Sequence, residues 1–452
     1  MPVVIKSVVC LFCCLCLSSY SRAQGIFRLL DDTPQSFKFE FINNAILVPV
    51  VINGLELNFL LDTGVKETIL FAHTDDSLYL RDQHKVKFQG IGSEEGVEGI
   101  LSKSNRMTVG NIAIDTLHWI YVIQASDLDI SSDVGVVING ILGSKFFNSF
   151  PVKIDYIKSK ITIYPPGYDY SKEIRRYEVT DINMENDRPY IRTKIQVDKS
   201  WIDGKMLVDL GNTDPLMLFS FLIPDFSIKA PYVDEYIGRG MNGIIYGKRN
   251  RIRKAVIEDF ELPYPIVSYP DSNTVITDRL AKDRIGSVGN QTWKRFHVLI
   301  DCANNHIYLK KNKWFKKPFM LNMAGMDIKH DGMIWTRELV GVKPPEKEEK
   351  GSYRSEQGIT IHLSNDYLQY NFVLKPSYKV SGIRKNSPAE KVGVQVGDIL
   401  LKINGAKAEN FSLSKIMSLL QSHPGDGIKL SLQRGDEIKN ISFHLVDPIP
   451  YQ

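Results

Sequence analysis

The feature that most constrains the fold is an internal duplication. An apolar run leads into Asp62-Thr63-Gly64, and 147 residues later a second apolar run leads into Asp209-Leu210-Gly211. Asp62 precedes Gly143 by 81 residues, and Asp209 precedes Gly289 by 80. A turn, a carboxylate and a glycine at nearly equal offsets indicate two copies of one structural unit. Two such lobes related by an approximate axis would bring the two marked aspartates together.

The first copy places a carboxylate where packing alone would not put one. Asp62 follows Phe59, Leu60 and Leu61, so it lies at the end of a buried strand. Desolvation disfavours a charged carboxylate there, and chains rarely bury an aspartate without a partner. A strand followed by a turn with a satisfied aspartate remains an alternative, because an isolated Asp-Thr-Gly triplet is common.

The pattern around both triplets is β. Residues 46–52 form a strand run, and Asn53-Gly54 predicts a hairpin turn into residues 55–61. In the second copy, residues 189–197 predict a strand, and Asp203-Gly204 is interpreted as the matching hairpin turn. We therefore predict a mainly β protein with lobe 1 at residues 24–170 and lobe 2 at residues 171–319.

A third pattern follows a change in composition. Residues 320–452 are predicted to hold a linker and a small β/α domain, with a polar loop near residues 343–357. An amphipathic stretch at 414–421 predicts a helix, and strands are expected on either side of Arg434-Gly435-Asp436.

The N-terminus resembles a secretory signal, with Lys6, an apolar stretch from Val8 to Leu17 and a small-residue site before Gln24. We expect residues 1–23 to be removed, leaving no segment long enough to span a membrane. Four of the five cysteines would leave with it, so the remaining Cys302 is expected to be a buried thiol. The net charge of +4 would fall to +2, which argues against nucleic-acid or membrane-surface binding.

Two aspartates on a shared axis can do acid–base chemistry. They cannot both ionise easily, so one keeps a proton while the other activates a trapped water that attacks a carbonyl group. The chain has no H-E-x-x-H helix, no G-x-S-x-G elbow and no cysteine beyond Cys302 outside the N-terminal segment. No histidine pattern has metal-ligand spacing, and neither a metal nor a cofactor is expected.

The two lobes resemble a secreted aspartic protease of the retropepsin/pepsin kind over roughly residues 35–319. The resemblance rests on the two Asp-x-Gly elements and on Ile141-Leu142-Gly143 and Ser287-Val288-Gly289. The C-terminal segment resembles a PDZ domain on Ser387-Pro388-Ala389, Gly397-Asp398 and residues 403–405. The arrangement is similar to aspartyl-protease-plus-PDZ proteins exported by Bacteroidetes-type bacteria.

This resemblance implies that Asp62 and Asp209 are the catalytic pair. It implies support from the Thr63 hydroxyl across the lobe interface and from tight turns at Gly64 and Gly211. In that family, the later glycine elements pack beneath the aspartate turns. Candidate flaps over a substrate are the glycine-rich tracts, represented by Gly90 and Gly92 in lobe 1 and Gly238 and Gly240 in lobe 2; ordinary β-turns are the alternative.

Leu210 departs from the family pattern, which has Thr or Ser there. One hydroxyl bridge between the lobes is therefore expected to be missing, and Leu210→Thr is expected to stabilise the interface. A non-catalytic second lobe is the alternative that this departure raises. For the PDZ segment, the peptide-binding candidates are Gly358, Ile359, Thr360 and Ile361; a packing or dimerising module is the alternative.

The sequence thus favours an exported aspartic endopeptidase, periplasmic or extracellular, that acts on polypeptides through a water between Asp62 and Asp209. Its PDZ domain would bind a peptide or C-terminus. The alternative is a non-catalytic protein that binds peptides in the bilobal groove and the PDZ domain. Because both lobes lie in one chain, a monomer is expected.

Overall fold

The structure, a computed structural model, describes residues 25–72, 78–88, 97–124, 130–240, 243–342, 352–354, 360–362 and 368–451. It is mainly β, as the sequence predicts. The chain divides into two compact units. The first takes in the described residues up to Ser131, then Val137–Leu321 and the chain end from Pro448. The second comprises Ser132–Val136 and Asn322–Asp447.

Lobe 1 is built from strands and two short helices. Its strands are β1 Arg28–Leu29, β2 Gln35–Lys38, β3 Glu40–Ile42, β4 Ala45–Ile52, β5 Leu55–Leu61, β6 Thr68–Ala72, β7 Gln83–Phe88, β8 Val97–Val109, β9 Ala113–Gln124, β10 Gly140–Leu142, β11 Val152–Asp155 and β12 Lys160–Ile163. Helix α1 spans Ile130–Val134, of which the residues from Ser132 belong to the second unit, and α2 spans Lys145–Ser149.

The predicted turn at Asn53-Gly54 joins β4 to β5. Asn53 has φ 49° and Gly54 has φ 98°, as a type I′ turn requires. The strand β5 then runs into Asp62 with β4 antiparallel on one side and β10 parallel on the other. The strand β6, which follows the aspartate turn, pairs antiparallel with β10 and parallel with β9.

Lobe 2 begins with helix α3 at Ser171–Ile174. Its strands are β13 Glu178–Asp181, β14 Asn183–Glu185, β15 Arg188–Val197, β16 Ser200–Val208, β17 Leu216–Leu218, β18 Tyr232–Gly240, β19 Gly243–Arg251, β20 Lys254–Ile257, β21 Phe260–Pro263, β22 Ile266–Pro270, β23 Arg284–Val288, β24 Phe296–Asp301 and β25 His306–Lys311. Helix α4 spans Asn290–Trp293, and 3₁₀ turns cover Ser220–Leu222, Ser272–Thr274 and Thr277–Arg279.

Lobe 2 repeats the pairing of lobe 1. The strand β16 is antiparallel to β15 and parallel to β23, while β17 is antiparallel to β23 and parallel to β22. The duplication predicted from spacing is therefore a duplication of topology. It places Asp62 and Asp209 at equivalent strand ends.

The predicted turn at Asp203-Gly204 is wrong. Both residues lie inside β16, opposite Lys194 and Thr193, and the hairpin turn comes earlier, at Asp198, which has φ 51°. Gly204 is a glycine for a different reason. A Cβ there would lie 2.0 Å from the Ile285 Cδ1 atom, so the glycine allows close packing rather than a turn.

The two lobes share one sheet. Six strands lie in the order β13-β25-β24-β11-β12-β2, so the closing hairpin of each lobe meets that of the other at β11 and β24. In this pairing Val152 lies opposite Ile300, and Ile154 lies opposite Val298. All four side chains belong to one apolar core that extends through both lobes. Backbone pairing and a common core thus fix the lobes to each other.

The C-terminal unit contains β26 Met326–Val342, β27 Ser352–Arg354, β28 Thr360–His362, β29 Leu368–Ile383, β30 Ile399–Ile403, β31 Ala406–Lys407, β32 Gly427–Arg434 and β33 Glu437–His444. Its helices are α5 Pro388–Lys391 and α6 Leu413–Leu420, with a 3₁₀ turn at Ala408–Asn410. The helix predicted at 414–421 is confirmed, and Ser412 caps it by accepting the Lys415 N–H.

The C-terminal sheet runs β26-β29-β30-β32-β33, with β31 beside β30. The turn predicted at residues 434–436 joins β32 to β33. After this sheet the chain returns to the first unit, where the Ile449 side chain is fully buried and its carbonyl accepts the Arg251 Nε–H at 3.2 Å. The first unit therefore includes this short C-terminal tail, which the sequence analysis placed with the PDZ domain after a single boundary at residue 319.

The structure also bears on the predictions made for Cys302 and for membrane-spanning segments. Cys302 is buried, and burial followed by the charge of Asp301 raises the pKa of its thiol to about 12, so it is not a nucleophile at neutral pH. None of the helices in the described part of the chain has the length and apolarity that a bilayer crossing requires. The predicted signal segment lies outside the described residues.

Candidate active site

Each aspartate sits at the end of a strand whose parallel neighbour holds its backbone. The Asp62 N–H donates to the Leu142 carbonyl at 3.0 Å, and the Asp209 N–H donates to the Val288 carbonyl at 3.0 Å. These bonds continue the β5–β10 and β16–β23 ladders by one residue. Both carboxylates are thereby carried on rigid strand ends rather than on free loops.

The glycine elements predicted to lie beneath the aspartate turns do so. A Cβ at Gly143 would lie 2.4 Å from the Glu67 carbonyl oxygen, five residues after Asp62. A Cβ at Gly289 would lie 2.2 Å from the Asp214 carbonyl oxygen, five residues after Asp209. At both positions a side chain would displace the turn that carries the aspartate. This contact explains the matched spacing seen in the sequence.

The two carboxylates face each other. A Cβ on Gly64 would lie 2.9 Å from Asp209 Oδ1 and 3.1 Å from Asp62 Oδ1. These two oxygens are therefore no further apart than 6.0 Å, the sum of the two distances. A Cβ on Gly211 would lie 2.3 Å from Asp62 Oδ2. Each glycine thus leaves room for the carboxylate of the opposite lobe, and the separation suits a water held between them.

Thr63 makes the predicted hydroxyl contact across the lobes. Its Oγ1 donates to the Val208 carbonyl at 2.5 Å and accepts the Leu210 N–H at 3.0 Å. Thr63 is fully buried. The hydroxyl therefore satisfies two backbone groups on either side of Asp209 and fixes the second aspartate relative to the first.

Leu210 occupies the position where a second hydroxyl was expected. Its side chain is fully buried in the common apolar core. Its carbonyl accepts a hydrogen bond from the Asn290 side-chain amide, and Asn290 Oδ1 accepts the Tyr156 hydroxyl at 2.7 Å. Tyr156 belongs to lobe 1 and Asn290 to lobe 2, so this pair forms another polar connection between the lobes beside the second triplet.

Sequence reasoning missed Tyr156 and Asn290. The available signal was small: Asn290 follows the second glycine element, where Ser144 follows the first. Both residues after the glycine donate their N–H to the turn, Ser144 to Val65 and Asn290 to Asn212, each at 2.7 Å. The side-chain contacts with Leu210 and Tyr156 distinguish the asparagine, and a spacing pattern does not contain them.

The pair has strongly perturbed acidity. Burial, followed by the charge of Asp209, raises the pKa of Asp62 from 3.8 to about 7, although N–H groups of the turns oppose the shift. Burial also raises the pKa of Asp209, against the opposing effects of the buried Arg284 guanidinium and of hydrogen bonds from Asn212 and Ser287. Burial therefore raises the pKa of both carboxyls, and only at Asp209 does a buried cation oppose that rise.

Arg284 is a second residue that sequence reasoning missed. It begins β23, its Nε donates to the Gly286 carbonyl at 2.9 Å, and its guanidinium lies 5.2 Å from the centre of the Phe219 ring. Burial lowers the pKa of Arg284, while the charge of Asp209 raises it. A buried cation in lobe 2 thus favours the ionised form of the lobe 2 aspartate.

The flap candidates fall into two groups. Gly238 and Gly240 lie in β18, which forms a long antiparallel hairpin with β19. No atom lies within 4 Å of a Cβ placed at Gly238. Gly90 and Gly92 lie outside the described residues. A role for either tract as a flap stays a prediction.

The PDZ peptide-binding candidates are placed only in part. Gly358 and Ile359 lie outside the described residues. Thr360 and Ile361 belong to β28, which pairs with β27 in a separate two-stranded sheet. The edge of the larger sheet that helix α6 packs against is β26. The loop before β26 contacts this helix through the Met323 N–H, which donates to the Leu420 carbonyl at 3.0 Å.

Two family models match parts of the chain. Residues 48–146 match the family model for an aspartyl protease, and residues 379–434 match that of a PDZ domain. The chain carries an aspartyl protease domain and a C-terminal PDZ domain. The first match contains Asp62, Thr63, Gly64 and Gly143; the second covers the end of β29 through β32.

Two individual proteins are similar to parts of the chain. A probable CtpA-like serine protease from Staphylococcus haemolyticus is 35% identical over 156 residues, which is 34% of this chain and 28% of that protein. The chain therefore spans little more than a quarter of that relative. The crystal structure of an aspartic proteinase from Irpex lacteus aligns with 63% of this chain and 99% of its own, with 15% identity and a TM-score of 0.42.

Proposed function

We propose that this protein is an aspartic endopeptidase that hydrolyses peptide bonds with a water held between Asp62 and Asp209. The observation that carries the proposal is the pair of facing carboxylates, whose Oδ1 atoms lie within 6.0 Å of each other. The aspartyl protease match around Asp62 supports it, as does the position of Asp209 at the equivalent strand end of the second lobe.

We assign the roles of the two aspartates from the buried Arg284 cation, whose charge acts on Asp209. Asp209, near Arg284, is the base: it takes a proton from the water as the water oxygen attacks the peptide carbonyl carbon. Asp62, whose pKa of about 7 keeps it protonated in mildly acidic solution, gives its proton to the carbonyl oxygen. The tetrahedral intermediate then collapses, the C–N bond breaks, and the leaving nitrogen takes the proton from Asp209. Asp62 recovers its proton from the intermediate's hydroxyl group.

A serine-type mechanism has less support. The described residues do contain a hydroxyl–imidazole–carboxylate arrangement: His118 Nε2 lies 2.8 Å from Thr68 Oγ1, and His118 Nδ1 lies 2.7 Å from Asp115 Oδ2. Each of the three side chains is only 2% exposed, so a peptide has no access to the hydroxyl. Asp62, at the meeting of the lobes, is 8% exposed. We interpret the buried triad as structural.

The PDZ domain is proposed to bind an extended peptide or a C-terminus. Strand addition requires a sheet edge with available backbone groups, and β26 is the edge strand next to helix α6. We also propose that the protein is exported, on the basis of its N-terminal sequence. Size comparison of the mature protein from a periplasmic fraction with the full chain tests that proposal.

The test of the protease proposal is cleavage of an unfolded protein across acidic to neutral pH. Wild type is compared with Asp62→Asn and Asp209→Asn, each of which should lose at least about 1000-fold in kcat/KM, a loss of roughly 4 kcal/mol. Asp155→Asn is the matched control, because the Asp155 carboxylate accepts the Ile157 N–H at 3.0 Å and the Lys158 N–H at 3.1 Å in the closing hairpin. A serine-reactive phosphonofluoridate should leave the activity unchanged. Equal cleavage by wild type and both dyad variants would overturn the proposal.

The alternative function is peptide binding without hydrolysis, and Leu210 is the observation that favours it. Binding of a labelled peptide by wild type that shows no cleavage at any pH would establish it. The retained contacts of Thr63 favour the enzyme, because they hold Asp209 in place despite the leucine.

A further inference from the structure

Arg249, on β19, joins two parts of lobe 2 that are far apart in sequence. Its Nη1 donates to Glu235 Oε1 at 2.7 Å, and its Nη2 donates to the Ile237 carbonyl at 3.0 Å. Both partners lie on β18, so these bonds hold the β18–β19 hairpin together near its base. The same Nη2 also donates to Asp214 Oδ2 at 2.8 Å. Asp214 lies in the loop that follows Asp209.

From Asp214 the hydrogen bonds continue to the catalytic pair. The Asp214 N–H donates to Asn212 Oδ1 at 2.9 Å, and the Asn212 N–H donates to Asp209 Oδ1 at 3.0 Å. The Asn212 side-chain amide also donates to Ser287 Oγ at 3.1 Å. The Arg249 guanidinium is therefore linked to the Asp209 carboxylate through two residues of one loop.

The contacts around Arg249 hold its guanidinium group in a fixed position. The Arg249, Asp214 and Glu235 side chains are 15%, 17% and 13% exposed. Burial alone would lower the pKa of Arg249, but the charges of Asp214 and Glu235 raise it. Ser268 Oγ satisfies more of the cluster by donating to Asp214 and accepting the Arg249 Nε–H. A planar fork with several donors can bridge two carboxylates and a carbonyl, and a single ammonium cannot do so with the same geometry.

Lobe 1 has a different arrangement at the equivalent place. Glu67 follows Asp62 by five residues, as Asp214 follows Asp209. Glu67 is paired with Lys145 of helix α2 at 2.7 Å, on the side of the glycine element rather than on a hairpin. Among the described contacts, the connection between hairpin and aspartate loop belongs to lobe 2. The duplicated lobes thus differ in how their aspartates are supported.

We propose that Arg249 is a positioning residue that couples the β18–β19 hairpin to the Asp209 carboxylate. The proposal rests on the proposed function, with the hairpin as a contact surface for the polypeptide substrate. A substrate that presses on the hairpin would act through Arg249 and Asp214 on the orientation of Asp209. Loss of the link leaves both aspartates present but allows Asp209 and the hairpin to move independently.

The test combines kinetics with hydrogen exchange on the full chain. Arg249→Met should lower kcat/KM about 100-fold, the scale of a misplaced catalytic group, with kcat falling as well as KM rising. Amide exchange should quicken both in β18–β19 and in residues 209–214. Arg249→Lys keeps the charge but not the fork, and it should recover less than a tenth of the lost activity.

Two further variants make the result decisive. Glu235→Gln weakens the hairpin side of the same cluster, so under the proposed coupling its exchange should quicken in β18 and, to a smaller extent, at residues 209–214. This variant tests the coupling if Arg249→Met does not fold. Arg192→Met is the matched control, since the Arg192–Asp203 pair also joins two strands of lobe 2 at 3.0 Å but is exposed.

Each outcome bears on the proposal. Faster exchange in both segments for Arg249→Met, with no change for Arg192→Met, supports the coupling. Faster exchange in the hairpin alone, or full recovery by Arg249→Lys, would overturn it. The exchange result stands even if wild type cleaves nothing, so a failure of the coupling is distinguishable from a failure of the protease proposal.

Discussion

The hydroxyl of Thr63 offers the sharpest test of how the two lobes are held at the dyad. Thr63→Val keeps the size and branching of the side chain and removes only the hydroxyl. The Val208 carbonyl and the Leu210 N–H would then both lose their bond to it, and all three residues are fully buried. No other substitution in the first triplet removes so little volume while affecting the second.

The expected cost follows from the two groups left without a partner. An unsatisfied buried donor or acceptor costs about 1–3 kcal/mol, so the pair corresponds to roughly 2–6 kcal/mol. That is a large part of the roughly 5–15 kcal/mol that stabilises a typical folded protein. Thr63→Ser, which keeps the hydroxyl and loses one methyl group, should cost only about 1 kcal/mol.

Urea unfolding of both variants, with hydrogen exchange read at β5 and β16, measures this difference. Thr63→Val should lower the free energy of unfolding well below that of Thr63→Ser, and exchange should quicken in both strands. Equal stability of the valine and serine variants would refute the claim that this hydroxyl connects the lobes. A change limited to β5 would show that the contact does not extend to the second aspartate.

Three further outcomes are expected. The pKa of Asp62 is raised from 3.8 to about 7, so between these pH values Asp62 is protonated in the folded protein and ionised in the unfolded protein. The free energy of unfolding of wild type therefore falls as pH rises through this range. In urea unfolding, the free energy of unfolding of Asp62→Asn should therefore rise relative to that of wild type by up to about 4 kcal/mol between about pH 4 and pH 8. A difference between the two proteins that does not change with pH would contradict the raised pKa of Asp62. Gly211→Ala would place a methyl 2.3 Å from Asp62 Oδ2 and should lower kcat about 100-fold, whereas Gly427→Ala, with 4.0 Å to its nearest neighbour, should not. Leu210→Thr should lower the free energy of unfolding by roughly 2–4 kcal/mol, because it removes buried apolar volume and buries a hydroxyl group. A variant more stable than wild type would instead support the interpretation that a hydroxyl bridge is missing at this position.

The last of these reverses an expectation drawn from sequence. Comparison with the family motif identified Leu210 as a missing hydroxyl, which implied a weakened junction. In the structure its side chain fills the core, and its carbonyl is bonded to Asn290. A motif shows which residue differs, but what surrounds the replacement depends on packing from distant parts of the chain.

The sequence could predict that Asp62 and Asp209 lie close together, because the motif around each aspartate is short and occurs twice. An apolar strand, an aspartate and a glycine at matched spacing define each lobe, and duplication implies an axis on which Asp62 and Asp209 meet. Asp203-Gly204 was misassigned because the same dipeptide serves hairpin turns and close packing; Ile285, which decides between them, lies 81 residues away.

Arg249 and Arg284 could not be found in this way. Their partners lie on other strands, and neither arginine belongs to a recognisable pattern. Arg284 matters because it is buried within lobe 2 and its charge acts on Asp209, and Arg249 matters because three of its contacts converge from two elements. Such roles depend on the register of strands, which hydrophobic periodicity predicts poorly.

The central claim is that Asp62 and Asp209 form one acid–base unit, and carbon-13 NMR titration of aspartate carboxyl groups tests it most directly. One dyad carboxyl should stay protonated up to about pH 7, because burial and the neighbouring charge raise the pKa of Asp62. Asp209→Asn should lower that midpoint, since it removes the neighbouring charge. Two carboxyls that titrate independently near pH 4, unaffected by each other's substitution, would contradict the account.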